Sequence, residues 1–278
     1  MHSIQQLRWR DVLDDILFPS DLQFEWVKLE FSESTSMHNR DGLYVSGPFG
    51  VAEATPLPGY FDKEIECVLA AIDTVAKPWP EPKRQEVATN MLVSTKDDID
   101  DSLLGAKSIK VKVKSPGDCE TVKFARDFCG SNVNIRIDCN GMFDVEGAFN
   151  LLRDLKDVNL ELVEQPCLSN QENAELRRKI GIPLAIDETA RTQAQIVEAK
   201  NIDAADIAVI KVQPSGGIHK AVELIDNWGS DVIIAHMMES QVGIDVGLSL
   251  AKSLDKLNYA CGLELPKLDK VIREPLDI

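Results

Sequence analysis

The sequence predicts an α/β chain whose larger part is a (β/α) barrel, on three observations. From residue 88 onward, short apolar runs rich in β-branched residues alternate with segments whose apolar positions recur at helical spacing. The strand-like runs number eight, about two dozen residues apart. From the second run to the sixth, each ends in or beside a charged residue. An open, doubly wound sheet is the competing architecture. It usually carries a glycine-rich phosphate loop after its first strand, and neither GxGxxG nor GxxxxGK[ST] occurs here.

The elements follow in order. FEWVKLEF (24–31) and GLYVSGPFGVAEA (42–54) read as strands, with SGPFG as a turn. DKEIECVLAAIDTVA (62–76) places Ile65, Val68, Leu69 and Ile72 at helical spacing. KPWPEPKR (77–84) holds three prolines, cannot continue a helix and reads as a linker. A boundary nearby makes 1–87 one domain and 88–263 a second, with the tail 264–278 joining the first. The barrel strands are expected at 88–93, 108–113, 133–138, 160–164, 183–186, 206–211, 231–235 and 259–263. Helical patterns fall at 120–129, 145–155, 173–180, 191–199, 219–228 and 242–254. DDIDDSLLG (97–105), between the first two strands, is a short helix at best.

Composition narrows the function. The 278 residues are 44% hydrophobic and 27% charged, with a formal net charge of −16. So acidic a chain does not suit nucleic acid or an anionic membrane as its main partner. There is no apolar run of spanning length, and MHSIQQLRWRDVLDD lacks the pattern of a secretory signal, so a cytoplasmic protein is expected. The six cysteines form no CxxC pair and read as reduced, buried thiols. The four histidines show no HExxH spacing.

The strand ends carry the chemistry. IKVKVKS (109–115) puts Lys110, Lys112 and Lys114 on one face. Alone, such a face is usually solvated, and Lys114 beyond the strand end is expected to be so. The following strands end in Asp138 with Asn140, Glu164, Asp187 with Glu188, and Lys211. Asp138, Asp187 or Glu188 could each cap a helix. Taken together, three carboxylates on neighbouring strands would repel one another, and a divalent cation relieves that. Hard oxygen ligands suit Mg²⁺, with Mn²⁺ as an alternative. Lys112 and Lys211, from strands on opposite sides of the barrel, would face each other across a substrate. Lys110 and the cation would make Lys112 easier to deprotonate, hence a usable base.

KVK (110–112), DCN (138–140), EQP (164–166), DET (187–189) and KVQPSGG (211–217) resemble the enolase superfamily, in its KxK, muconate lactonizing enzyme-like branch. Within it the chain most resembles the o-succinylbenzoate synthases, through IKVKV, RIDCNG (136–141), VEQPC (163–167), AVIKVQPSGG and ACGL (260–263). RDGLYV (40–45) and GVAEATP (50–56) resemble the capping domain of that family. The resemblance implies a modified TIM barrel, (β/α)7β, with an N-terminal α+β capping domain. It implies a Mg²⁺-dependent lyase of menaquinone biosynthesis. The reaction is syn-dehydration of 2-succinyl-6-hydroxy-2,4-cyclohexadiene-1-carboxylate to 2-succinylbenzoate. Asp138, Glu164 and Asp187 would hold the metal. Lys112 would remove the α-proton and return it to the departing hydroxyl. Lys211 would stabilise the enediolate by charge and cation–π contact. Lys110, Arg136, Asn140, Ser240 and Gly262 would line the substrate site. The partner is a small carboxylate, and the chain is expected to be a monomer or weak oligomer.

Two segments depart from that family. AHMMESQVG (235–243) has His236 and Met237 where small residues are expected, and Glu264-Leu265 replaces a Gly-Thr pair. The alternatives are N-acylamino acid racemisation, dipeptide epimerisation or cycloisomerisation with the same lysines, a barrel that binds without turnover, and a Schiff-base aldolase through Lys211. Residues Met37 to Arg40 and the segment 235–243 would separate the first group from dehydration.

Overall fold

The computed structural model describes residues 4–14, 16–32, 38–61 and 63–276. Helix α1 (Ile4–Asp14) leads into β1 (Gln23–Phe31), β2 (Arg40–Gly47) and β3 (Gly50–Ala54), then α2 (Glu64–Ala76). The last strand, β11 (Leu268–Pro275), returns to pair antiparallel with β1, so this antiparallel sheet has the order β11-β1-β2-β3. Alternation along β1 buries both of its faces. Phe24 and Trp26 join Trp9, Leu13 and the α2 residues Val68 and Val75 in the main core. Val27, Leu29 and Phe31 face the other way, with Tyr44, and pack against Met238 and Val242.

Seven parallel strands form the barrel wall in chain order: β4 (Met91–Val93), β5 (Ser108–Lys112), β6 (Asn134–Asp138), β7 (Leu160–Glu164), β8 (Leu184–Ile186), β9 (Ile207–Lys211) and β10 (Asp231–Ala235). The expected eighth strand is reduced to Cys261 and Gly262, which close the ring. The Cys261 amide donates to Ala88 O at 2.7 Å and its carbonyl accepts from the Asn90 amide at 2.9 Å. On the other side the Gly262 amide donates to Ile234 O at 2.9 Å and its carbonyl accepts from the His236 amide at 3.2 Å. This is the (β/α)7β pattern with its first helix reduced to 3-10 turns. Helices α3 (Cys119–Cys129), α4 (Val145–Asp154), α5 (Asn170–Arg177), α6 (Gln193–Asn201), α7 (Ile218–Trp228) and α8 (Gln241–Ser253) follow β5 to β10. Only two short 3-10 turns, Lys96–Asp98 and Asp101–Leu103, separate β4 from β5, as the weak pattern there suggests.

Wall residues sort by parity. Ile135, Ile137, Val163, Ile186 and Ile210 face the helices, while Leu162, Ala185, Ile207, Val209 and Ile233 fill the interior. The antiparallel sheet is tied to the barrel through α2 and α7. Gly217 has φ +112°, and a Cβ there would sit 2.8 Å from Ala70 O. Glycine therefore permits both the turn and the close approach of α7 to α2.

Neither α1 nor β11 is expected from the sequence. Helix α1 is anchored at a distance, the Trp9 indole donating to Asp41 Oδ2 at 2.7 Å. Strand β11 is largely exposed and is held by its pairing with β1. All six cysteines are free, five of them buried. Among the described residues no helix is long and apolar enough to cross a membrane.

Candidate active site

Residues two apart on a strand share a face, so Lys110 and Lys112 project together from β5. Register sets Lys112 beside Asp138 and Asp138 beside Glu164. Asp187 follows directly on β8, and Lys211 ends β9. Passing round the wall from β5 to β9, neighbouring strands thus present lysines, three carboxylates in succession, and a lysine, all at their C-terminal ends.

The charges pair closely. The Lys112 ammonium donates to Asp138 Oδ2 at 2.6 Å and to Asn140 Oδ1 at 2.9 Å. Lys110 lies 3.0 Å from Asp138 Oδ2 and 3.1 Å from Glu164 Oε1. Lys211 donates to Asp187 Oδ2 at 2.6 Å and to the Tyr60 hydroxyl at 3.1 Å. The lysines are not equally sheltered: the side chain of Lys112 is 23% exposed and that of Lys211 is 9% exposed. Lys112 is therefore the more open to a substrate from the mouth. Lys114 is exposed beyond the strand end, as expected.

Burial opposes charge on Lys110, Lys211 and the three carboxylates, and the neighbours decide the outcome. At Lys110 burial is outweighed by Asp138 and Glu164, and the ammonium is held more firmly than usual. Lys211 is held likewise by Asp187. Asp138, with Lys110 and Lys112 on one oxygen, falls well below the usual carboxylate range despite burial. Glu164 and Asp187 move upward, through burial first; the charge of Asp138 adds to the shift at Glu164, and at Asp187 the lysine opposite only partly offsets burial. Asp138 differs from the other two because two lysines meet on one of its oxygens.

Helix capping does not account for these acids. Asp144 caps α4, accepting from the Gly147 amide, and Thr192 caps α6. Asn140 (φ 46°) and Gln165 (φ 39°), just past two of the carboxylates, are left-handed, a conformation unusual for residues other than glycine. Gln165 uses it to reach the next strand. Its Oε1 accepts from the Asp187 amide at 2.7 Å, and its Nε2 donates to Cys167 O at 2.8 Å, which fixes the end of β8.

The structure brings together Lys110, Lys112, Asp138, Asn140, Glu164, Asp187 and Lys211. Arg136 does not join them. It is fully buried on the same face of β6, one layer below Asp138, and its guanidinium is engaged by Glu161 Oε2 and by Ala260 O at 2.8 Å. Ser240 lies under the antiparallel sheet, bonded to the Tyr44 hydroxyl at 2.6 Å and donating to Glu53 Oε2 at 2.5 Å. Gly262 sits in the closing bridge, where an added Cβ would lie 3.2 Å from Ala235 Cβ. Met37 lies outside the described residues; Arg40 is buried, with its guanidinium on Thr55 O and Met238 O. His236 is neutral, pushed down to about 3 by burial and then by Lys110 and Lys211. Its Nδ1 accepts from the Met238 amide at 2.9 Å, which assigns the proton to Nε2.

Tyr60 is absent from the sequence reading, and Glu188 enters it only beside Asp187. Tyr60 comes from the segment before α2, in PLPGYF, a stretch with no period to mark it. Its ring lies under Lys211, with the ammonium 4.8 Å from the centroid, and its hydroxyl donates to Glu188 Oε1 at 3.3 Å. Burial pushes that hydroxyl up to about 12. Tyr60 also borders a cleft of about 540 Å³ with Arg191, Ser215 and Lys220; none of the three site lysines lines it.

Asp138, Glu164 and Asp187 are hard oxygen donors on neighbouring strands and suit a divalent cation. Asp187 Oδ1 is buried without a hydrogen-bond partner, an oxygen that a cation would satisfy. Among the described residues no three acidic, histidine or cysteine side chains converge as a closed metal cage does; here the carboxylates take ammonium partners instead.

A family profile described as "Enolase C-terminal domain-like" matches residues 96–278. An o-succinylbenzoate synthase of Thermobifida fusca is 36% identical over 239 residues, which is 82% of this chain and 75% of that protein. Among solved structures, an N-succinyl Arg/Lys racemase from Bacillus cereus superposes with a TM-score of 0.77 at 17% identity, covering 92% of this chain and 94% of the other. A dipeptide epimerase from Cytophaga hutchinsonii, complexed with Mg and a dipeptide, gives 0.70 at 18% identity, covering 86% of each chain. At those identities the two structures establish the fold alone.

Proposed function

The chain belongs to the o-succinylbenzoate synthase family of the enolase superfamily, and from that premise we propose that it dehydrates 2-succinyl-6-hydroxy-2,4-cyclohexadiene-1-carboxylate to 2-succinylbenzoate, a step of menaquinone biosynthesis. It is a lyase that breaks a carbon–oxygen bond. The arc of lysine, three carboxylates and lysine across five neighbouring strand ends supports abstraction of an α-proton, and the observation that carries dehydration rather than racemisation is the 36% identity to an o-succinylbenzoate synthase. An α-proton of a carboxylate is weakly acidic, so its removal needs a base on one side and concentrated positive charge on the other.

Asp138, Glu164 and Asp187 would hold Mg²⁺. When bound, that ion supplies the charge that offsets a second negative charge on the substrate carboxylate. Lys112, the more open lysine, is the base: its neutral amine takes the α-proton, and the C–H pair moves into the carboxylate. That pair then forms the ring double bond as the C–O bond breaks. The Lys112 ammonium returns the proton to the hydroxyl, which leaves as water. Both events occur on one face, as a syn elimination requires. Lys211, protonated and held by Asp187, faces the opposite side of the ring and stabilises the accumulating charge.

The test is loss of cyclohexadiene absorbance with purified protein. Wild type with Mg²⁺ is expected to turn over, and Lys112→Ala or added chelator to stop it. A folded, metal-loaded wild type that leaves the diene intact, yet exchanges the α-proton of an N-succinylamino acid, would replace dehydration with racemisation.

A further inference from the structure

Two polar arms meet on one oxygen of Glu188. From one side, the Lys112 ammonium donates to Asn140 Oδ1 at 2.9 Å, and Asn140 Nδ2 donates to Glu188 Oε1 at 3.0 Å. From the other, Lys211 donates to the Tyr60 hydroxyl at 3.1 Å, and that hydroxyl donates to Glu188 Oε1 at 3.3 Å. Donor direction is consistent throughout. An ammonium can only donate, so Asn140 must turn its oxygen to Lys112 and its amide nitrogen to the carboxylate. For the same reason the phenol must accept from Lys211 and give its own hydrogen to Glu188. The other oxygen, Glu188 Oε2, is buried with no hydrogen-bond partner.

We propose that Glu188, through Tyr60 and Asn140, is a positioning residue that couples the aim of the two lysines across the barrel mouth. The inference rests on the dehydration reading for its chemistry but not for its geometry. An ammonium has three N–H donors. Lys112 gives one to Asp138 and one to Asn140; Lys211 gives one to Asp187 and one to Tyr60. Each therefore has one direction left. When Lys112 is neutral, its two N–H groups stay on Asp138 and Asn140, and the lone pair takes that remaining direction toward the substrate proton. Asp138 and Asp187 are also the proposed cation ligands, so the contacts given to the lysines alone are those of Asn140 and Tyr60. Asn140 is held for the task by its left-handed backbone. The Tyr60 ring is held by Arg191, whose guanidinium lies 4.9 Å from its centroid.

The experiment uses full-length protein labelled with ¹⁵N-lysine, with and without Mg²⁺, the two Nζ signals being assigned by Lys112→Arg and Lys211→Arg. Tyr60→Phe keeps the ring and removes only the hydroxyl. It is expected to move the Nζ signal of Lys112, which Tyr60 does not touch, as well as that of Lys211. A Lys112 signal unmoved in Tyr60→Phe while Lys211 shifts would overturn the coupling. In turnover, Tyr60→Phe and Glu188→Gln are each expected to lower kcat on the order of 10- to 100-fold, with KM within about twofold. The double variant should be no slower than Glu188→Gln alone, because both act through one bridge. Fully additive losses would also overturn it. If wild type does not consume the diene, the reaction reading fails, and the Nζ signals still decide the bridge.

Discussion

At the barrel mouth, Asp138, Glu164, Asp187 and Glu188 stand among three lysines; between the antiparallel sheet and α8, Glu53 and Glu239 face one guanidinium, that of Arg40. The second set is buried and the first partly so, but only at the mouth do Asp138, Glu164 and Asp187 pair closely with cations. The N–H groups of Arg40 go to two backbone carbonyls, and Glu239 is pushed up to about 7, by burial and then by the charge of Glu53. Glu53 is raised by burial as well, although it accepts from the amide and hydroxyl of Ser240 and the amide of Gly243 at the start of α8. A carboxylate at a helix N-terminus is well placed as a fastener. The difference separates two uses of buried charge. The mouth keeps ammonium groups matched to carboxylates and leaves one direction open on Lys112 and on Lys211. The second cluster is closed in by the antiparallel sheet and α8, and ties the sheet to the barrel.

The largest effect should divide the two clusters by what each substitution damages. Lys112→Ala and Lys211→Ala are expected to lower kcat by at least about 10³-fold. Lys112→Ala, at a partly exposed position, should shift Tm by only a few degrees. Arg40→Met should do the reverse. It leaves two buried carboxylates without their cation and is expected to cost about 3 kcal/mol at pH 8, with kcat of the folded fraction within a few-fold. Urea titration beside steady-state kinetics checks both. A thousandfold loss of kcat in folded Arg40→Met would show that the second cluster takes part in the chemistry.

A smaller effect concerns pH. The folded-state pKa of Glu239, about 7, lies above its ordinary value of 4.5. Between those values the unfolded chain has released the proton and the folded chain has not. Stability therefore falls as pH rises through that window and levels off above it. The loss from this one group is on the order of 3 kcal/mol at most. Glu239→Gln removes the titration, keeps an acceptor for Gln213, and should flatten the slope while raising stability at pH 8. A wild-type slope that survives this substitution would place the titration elsewhere.

The mouth was legible in the sequence because its residues sit at one repeated place, the end of each strand, and strand ends can be counted. Alternation gave Lys110 and Lys112 one face, and the spacing of Asp138, Glu164, Asp187 and Lys211 gave the rest. What could not be counted was contact across the chain. Tyr60 and Glu188 are 128 residues apart, and Ser240 and Glu53 are 187 apart. No local pattern announces either pair. Arg136 shows the limit of parity: it shares the face of Asp138, yet one layer down it meets Glu161 rather than the mouth. The eighth strand was placed correctly by its apolar run but pairs through only two residues, because closing the ring requires no more. Strand β11 had no alternation to show, since it is largely exposed and held by backbone pairing.

The smallest effect is the sharpest probe of the division, because Ser240 was expected to line the substrate site. Its hydroxyl instead joins Tyr44 to Glu53, and its side chain caps α8. Ser240→Ala removes those bonds and leaves the Glu53 carboxylate with fewer donors. The cost should be about 1–2 kcal/mol, seen as a lower urea midpoint. KM for the cyclohexadiene carboxylate should stay within about twofold, since no charge at the mouth changes. The opposite pattern, an unchanged midpoint with KM raised about tenfold, is the size expected for one lost hydrogen bond to a bound carboxylate. It would put Ser240 against the substrate and make the second cluster an extension of the mouth.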